Sequence, residues 1–220
     1  NVNTVNAWSF TGYRGLKTVT IPSWVKRVGE GAFLGCLLDK VTIQAENLQI
    51  DKYGFYVSGW IQEEGIHNVV ISKNLKQVTG EGDVPTANAI DYDGTIEEWL
   101  NIKFNLKKEM FAIDGQGILR INREQVNEII IPEDMTEIHD YQFAGMALST
   151  VYVPKSLKRI GKYAFAWCHD LERVQYSSVK TPASAKKCQS KTDARQFITI
   201  GDCAFLMNKK LTDISFAEVV

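Results

Sequence analysis

The sequence predicts a repeat solenoid of the α/β type, with a parallel β-sheet on one face and mostly turns and short helical segments on the other. Two observations predict it. An apolar residue precedes a phenylalanine by five positions at six places in the chain, and a short alternating run of apolar residues recurs after these phenylalanines. The chain has 220 residues, and we expect one continuous solenoid over residues 1–220.

The phenylalanines give the period of the repeat. The apolar residue and its phenylalanine are Val5 and Phe10, Val28 and Phe33, Ile50 and Phe55, Ile138 and Phe143, Ile160 and Phe165, and Ile200 and Phe205. Successive phenylalanines are 23, 22, 88, 22 and 40 residues apart, and 88 is four times 22. A fixed period of this length is typical of a solenoid, in which one turn buries its apolar face only by stacking on the next.

The runs that follow the phenylalanines have the alternation of β-strands. Three of them read LKTVTI at 16–21, LDKVTI at 38–43 and LSTVYV at 148–153, and similar runs occupy 66–71, 126–131, 171–176 and 211–216. Alternation points every second side chain to the same face. A proline after a run, such as Pro22, ends the strand because it cannot donate to the ladder. Glycine after the apolar residue, such as Gly161, permits a turn.

Two segments depart from the period. The middle, residues 72–125, contains Trp99, which lies 44 residues after Phe55 and so falls two periods later, where we expect it to replace the phenylalanine. Residues 110–121 predict a hairpin of two short strands around Asp114 and Gly115. Residues 177–196 form an insertion, which we expect to be a loop that leaves the solenoid.

The cysteines predict no metal site. Cys36, Cys168, Cys188 and Cys203 form no C-x-x-C pair and have no histidine at ligand spacing, so we expect neither zinc nor any cofactor. Cys36 and Cys168 both follow a phenylalanine by three positions and are predicted to be reduced core thiols. Cys188 lies in the insertion, and a bond from it to Cys203 is left open.

Composition excludes several classes of partner. A net charge of −1 argues against nucleic acid, and the longest apolar runs are too short to insert into a membrane. There is no signal peptide and no initiating Met, which favours a fragment of a longer product. Neither end shows a polar capping repeat. Neighbouring segments that cover the ends, or end-to-end or edge association with another chain, would both explain this.

The repeats resemble the BspA-like leucine-rich repeat family, whose running pattern is I-G-x-x-A-F-x-x-C-x-x-L-x-x-I-x-I-P. Residues 151–176 are the best copy, and residues 19–36 and 200–216 also match. Residues 89–104 resemble a Tyr-x-Gly-Thr-x-x-x-Trp variant turn of bacterial members. The resemblance implies cell-surface or secreted bacterial proteins with adhesion or ligand-binding roles, and it implies no catalytic residue.

The outward face of the strands is the first candidate binding site. Its predicted members are Thr20, Thr42, Val70, Asp91, Ile130, Tyr152, Arg173, Gln175 and Ser215. The same alternation places Thr150 outward. Val70, Ile130 and Tyr152 are apolar or aromatic where a wet face would be polar, which favours a protein or glycan partner. Selection for cross-strand packing is the alternative explanation.

The insertion is the second candidate. It carries the basic residues Lys186, Lys187, Lys191 and Arg195. A long loop on a regular scaffold is a common recognition element, although a tolerated disordered insertion has the same composition.

Evidence for catalysis is weak. Carboxylates are adjacent at 63–64, 97–98 and 133–134, but neighbours in sequence rarely converge on one bond as glycoside hydrolysis requires. We therefore predict no catalytic residue and expect a non-catalytic binding or adhesion module. The alternatives are a structural spacer that presents other domains and, less favoured, a carbohydrate-active enzyme.

Overall fold

The computed structural model describes residues 3–56, 66–81, 87–106, 117–176 and 198–215. These residues form short strands, turns and one five-residue helix, α1 (Ile96–Leu100). In chain order the strands are β1 (Thr4–Val5), β2 (Thr18–Ile21), β3 (Arg27–Val28), β4 (Lys40–Ile43), β5 (Asn47–Ile50), β6 (Ile66–Ile71), β7 (Gln77–Gly80), β8 (Ala87–Tyr92), β9 (Lys103–Leu106), β10 (Ile118–Ile121), β11 (Glu124–Val126), β12 (Glu128–Ile130), β13 (Glu137–Ile138), β14 (Thr150–Val153), β15 (Arg159–Ile160), β16 (Arg173–Tyr176), β17 (Thr199–Ile200) and β18 (Asp213–Ser215).

The strands alternate between two columns of parallel sheet. The first column contains two sheets, with the orders β2-β4-β6-β8-β10-β11 and β12-β14-β16-β18. The second column likewise contains β1-β3-β5-β7-β9 and β13-β15-β17. Among the strands of the described residues, only β10 and β11 pair antiparallel. The predicted repeat fold is therefore confirmed, as parallel sheets with almost no helix.

The second column was predicted as turns. It is instead built from strands as short as two residues, such as Arg27–Val28 and Arg159–Ile160. The last residue of six of these strands is the apolar residue that precedes each phenylalanine by five positions. Two residues show too little alternation for a period of two to be visible in sequence.

The phenylalanines form two ladders in the core. Phe10, Phe33 and Phe55 stack with ring centroids 5.3 and 5.0 Å apart. Phe143, Phe165 and Phe205 stack at 5.3 and 5.5 Å. The core position is confirmed for Phe33, Phe55, Phe143 and Phe165, which are buried, whereas Phe205 is half-buried and Phe10 is 41% exposed.

Left-handed backbone turns the chain on both sides of five of the six phenylalanines, and the position after Phe55 lies outside the described residues. Two positions before the phenylalanines, φ is between 54° and 60° at Trp8, Gly31, Tyr53, Tyr141, Tyr163 and Cys203. Two positions after them, it is between 58° and 75° at Gly12, Gly35, Gly145, Trp167 and Met207. The turn is thus made at these positions, several of which hold bulky side chains.

Gly161 has a different role from the predicted one. Its φ is not left-handed, and a Cβ there would lie 2.5 Å from the Asp140 nitrogen and the His139 carbonyl carbon in the preceding turn. Gly29 and Gly201 are similarly close, at 2.6 Å, to the nitrogens of Ala7 and Lys162. Glycine at this position therefore allows close stacking of two backbones.

Trp99 is buried, but it does not replace a phenylalanine. It lies in α1, after β8 and before β9, and the register of β5, β7 and β9 places α1 ahead of the second-column strand of its turn. The phenylalanines follow that strand. Thr95 caps the helix by accepting from the Glu98 nitrogen at 3.2 Å, while the Glu98 carboxylate accepts from the Thr95 nitrogen at 2.9 Å.

The described residues contain a hairpin in the middle of the chain that was not predicted. Asp114 and Gly115 are outside the described residues, whereas β10 turns into β11 through Asn122 and Arg123, with φ of 51° and 73°. Positive φ at both central residues is the geometry of a tight two-residue hairpin turn. The predicted strand at 126–131 is consequently divided between the end of β11 and β12.

Cys36 and Cys168 are buried free thiols, as predicted. Their Sγ–H groups donate to the carbonyl oxygens of Phe10, at 2.9 Å, and Phe143, at 3.1 Å. Burial raises the pKa of Cys168 to about 12. Cys203 is free and exposed, while Cys188 and any bond it makes lie outside the described residues.

These differences predict selective labelling. In a Cys188→Ser variant at pH 8, we expect iodoacetamide to modify Cys203 within minutes, while Cys36 and Cys168 stay unmodified until denaturant is added, because a buried thiol rarely becomes the reactive thiolate. Peptide mass spectrometry after timed quenching measures this. Labelling of Cys168 as fast as Cys203 in the folded protein would contradict the burial.

Candidate functional site

The first strand-face row crosses five strands of the six-stranded sheet. Parallel register aligns the outward residues Thr20, Thr42, Val70, Asp91 and Arg120. Adjacent strands lie roughly 4.8 Å apart, so the row spans about 19 Å. Four of its members were predicted from sequence. Arg120 was not predicted, although it follows the buried Leu119 and the same alternation would have placed it on the outward face.

The second strand-face row crosses the four-stranded sheet. It consists of Ile130, Tyr152, Gln175 and Ser215 in register. Ile130 is 43% exposed and the other three are half-buried. The two rows lie on separate sheets, because β11 is the last strand of the first sheet and β12 is the first strand of the second, so the predicted residues fall into two groups.

Arg173 lies in a neighbouring row of outward positions. The prediction that Thr150, in the same row, is exposed is wrong. Arg173 is exposed and aligns with Glu128, Thr150 and Asp213. Thr150 is only 1% exposed, although alternation places it outward. It lies on an inner strand between Glu128 and Arg173, whose longer side chains flank it.

Asp91 is the electrostatic centre of the first row. Asn68 Nδ2 donates to one of its carboxylate oxygens at 2.6 Å, and Arg120 donates to the other at 3.0 Å. The Arg120 and Asp91 side chains are each about one third exposed. Both carboxylate oxygens therefore have protein partners, which fixes the position of Asp91 and neutralises its charge beside Val70.

A charged cluster on the second column was not predicted. Arg159 contacts the carboxylates of Glu137 and of Asp140, the latter at 2.7 Å, and His139 lies 3.2 Å from Glu137. Hydrogen bonding to Asp140, with a smaller contribution from Glu137, holds the pKa of Arg159 above its usual range. The mutual pairing of these charges links consecutive turns and leaves little free charge for a ligand.

No arrangement suited to catalysis was found in the described part of the chain. Glu98 of the predicted pair at 97–98 is engaged in the helix cap, and residues 63–64 lie outside the described residues. Within the five described ranges, no three His, Cys, Asp or Glu side chains are grouped to hold a metal ion. No helix in those ranges has the length and apolar character needed to cross a membrane.

The insertion residues Lys186, Lys187, Lys191 and Arg195 lie outside the described residues.

Comparison with known proteins identifies the repeat. The model of the BspA type leucine-rich repeat region matches the chain in six copies, over residues 1–81 and 121–219. No curated protein matches the sequence significantly.

Several solved bacterial proteins are similar to the chain. A leucine-rich repeat protein from Bacteroides ovatus is 16% identical, with 97% of this chain and 46% of that one covered and a TM-score of 0.38. A leucine-rich cell surface protein from Faecalibacterium prausnitzii is 14% identical, with coverages of 99% and 84% and a TM-score of 0.30. The pneumococcal vaccine antigen PcpA is 12% identical, with coverages of 97% and 77% and a TM-score of 0.29. The chain thus spans about half the length of the Bacteroides protein.

Proposed function

The chain belongs to the BspA type leucine-rich repeat family, and from this premise we propose that it is a non-catalytic binding module that engages a protein or glycan through its strand face. As the family resemblance implies, it acts at the cell surface or after secretion. Residues 1–220 form a single solenoid in this proposal, with the insertion at 177–196 as a second contact through Lys186, Lys187, Lys191 and Arg195.

The observation that carries the proposal is the row formed by Ile130, Tyr152, Gln175 and Ser215. Strand pairing holds these side chains at fixed spacing, so a partner meets a preorganised surface rather than mobile loops. An exposed isoleucine beside a tyrosine supplies apolar contact area, and the neighbouring amide and hydroxyl supply hydrogen bonds. An aromatic and an aliphatic side chain with polar groups beside them is typical of a protein interface, which has an apolar core and a polar rim.

The strand-face proposal predicts a specific loss of binding. The intact domain, labelled and screened on a glycan array and against candidate surface proteins, is expected to give a partner whose affinity falls about tenfold or more in Tyr152→Ala, because a central tyrosine removes much contact energy when truncated. Tyr13→Ala is the matched control, since Tyr13 is 63% exposed and lies between β1 and β2, outside both strand-face rows.

Two outcomes would contradict the proposal. One is the absence of any partner for the intact, folded domain. The other is a partner whose affinity is unchanged by Tyr152→Ala, or is reduced equally by Tyr152→Ala and by Tyr13→Ala.

A further inference from the structure

A groove opens where the first sheet of the first column gives way to the second. It has a cavity of about 590 Å³ and is lined by the start of α1, by the hairpin β10–β11 and by β12. The turn at Asn122 and Arg123 determines where the groove lies, because it makes β11 run antiparallel to β10. Only Asn127 separates β11 from β12, the first strand of the next sheet.

The floor of the groove is apolar. Ile96, Ile121 and Val126 are partly buried and pack against the hydrophobic core. Ile130 is 43% exposed at the side of the groove. Four β-branched apolar side chains around one open cavity form a surface that gains free energy when an apolar group covers it.

The rim of the groove is acidic. Glu97, Glu124 and Glu128 line it, are exposed, and form no ion pair with any described residue. No lysine or arginine is among the lining residues. Arg120 on the neighbouring strand is paired with Asp91 at 3.0 Å. Two further cations are near the groove, Arg123 beside Glu124 and Arg173 two strands from Glu128 in the same register, and both are exposed. Three exposed carboxylates without an ion-pair partner, around an apolar floor, complement a cationic, partly apolar ligand.

The groove also has unpaired strand edges. Among the described strands, β11 pairs only with β10 and β12 pairs only with β14. An extended peptide can hydrogen-bond to such an edge, with alternate side chains pointing to and away from the floor. The same acidic rim repels nucleic acid and anionic membranes.

We propose that this groove binds an extended segment of a partner protein in which apolar side chains alternate with lysine or arginine. The inference rests on the proposed function as a binding module and names the chemistry of one partner. The groove is a separate site from the row of Ile130, Tyr152, Gln175 and Ser215, although Ile130 borders both the groove and the row.

The test uses a fluorescein-labelled octapeptide of alternating lysine and valine, titrated with the intact chain and followed by fluorescence anisotropy. We expect saturable binding that weakens about tenfold when Glu97→Gln, Glu124→Gln and Glu128→Gln are combined, because each exposed charge pair contributes modestly. The control combines Glu30→Gln, Asp134→Asn and Asp202→Asn, which remove the same charge from exposed positions elsewhere, and should bind as the unchanged protein does.

Further arms separate the groove from general charge attraction. Ile130→Asn should weaken the peptide several-fold, and an octalysine peptide should bind about tenfold less tightly than the alternating one. Equal losses in both triple variants, equal affinity for octalysine, or no binding of the alternating peptide by the folded chain would overturn the proposal. Tyr152→Ala should leave the affinity for the peptide unchanged. A failure of the proposed strand-face binding can therefore be distinguished from a failure of the groove.

Discussion

Phe165→Ala is expected to lower the free energy of unfolding by about 3–5 kcal/mol. The Phe165 ring is fully buried and stacks on Phe143 at 5.3 Å and on Phe205 at 5.5 Å. Its removal leaves a cavity between two turns, and both neighbouring rings lose a partner. Because each turn of a solenoid contacts only its neighbours, this loss weakens the connection between the turns on either side.

Phe10→Ala is the matched control for this change. Phe10 occupies the same position in its turn, but it is 41% exposed and stacks only on Phe33. Its truncation should cost clearly less than that of Phe165. Urea denaturation followed by far-UV circular dichroism compares the two variants through their midpoints, provided that the slopes are unchanged. Equal losses in both variants would mean that the ladder does not connect the turns.

The sequence contained enough information for the first column of strands and for the anchors. Runs such as Val41-x-Ile43 alternate over four to six residues, and phenylalanine repeats at a fixed spacing. Both patterns can therefore be recognised from the sequence alone. The second column was missed because a strand such as Arg27–Val28 has no measurable period. Its pairing depends on the stacking of whole turns, which is a non-local property.

The residues on the outward face could be predicted wherever the strands that carry them could be predicted. Alternation correctly grouped Thr20, Thr42 and Val70 on one side, because register follows from the repeat. It failed at Thr150, whose burial depends on neighbours across strands and not on its own position. The groove could not be predicted because it arises from the turn at Asn122 and Arg123, which contains none of the glycine that usually marks such a hairpin.

Gly161→Ala is expected to lower the free energy of unfolding by about 1–3 kcal/mol, because the added carbon has no space. The Cβ would lie 2.5 Å from the Asp140 nitrogen and 2.5 Å from the His139 carbonyl carbon, which are backbone atoms of the preceding turn. A flexible side chain could move aside, but these atoms are held by strand pairing, including the hydrogen bond from the Gly161 nitrogen to the Ile138 oxygen at 2.8 Å. The two turns must therefore separate.

Gly15→Ala controls for the general effect of replacing glycine. Nothing lies within 4 Å of a Cβ at Gly15 and its φ is not left-handed, so this change should alter stability by no more than about 0.5 kcal/mol or stabilise slightly through the unfolded chain. Gly201→Ala, where the Lys162 nitrogen would be 2.6 Å away, should behave like Gly161→Ala. Denaturation midpoints for the three variants test this. If Gly161→Ala were as stable as Gly15→Ala, close backbone approach would not be the reason that glycine follows the apolar residue in these turns, and the spacing between stacked turns would have to be larger than the structure shows.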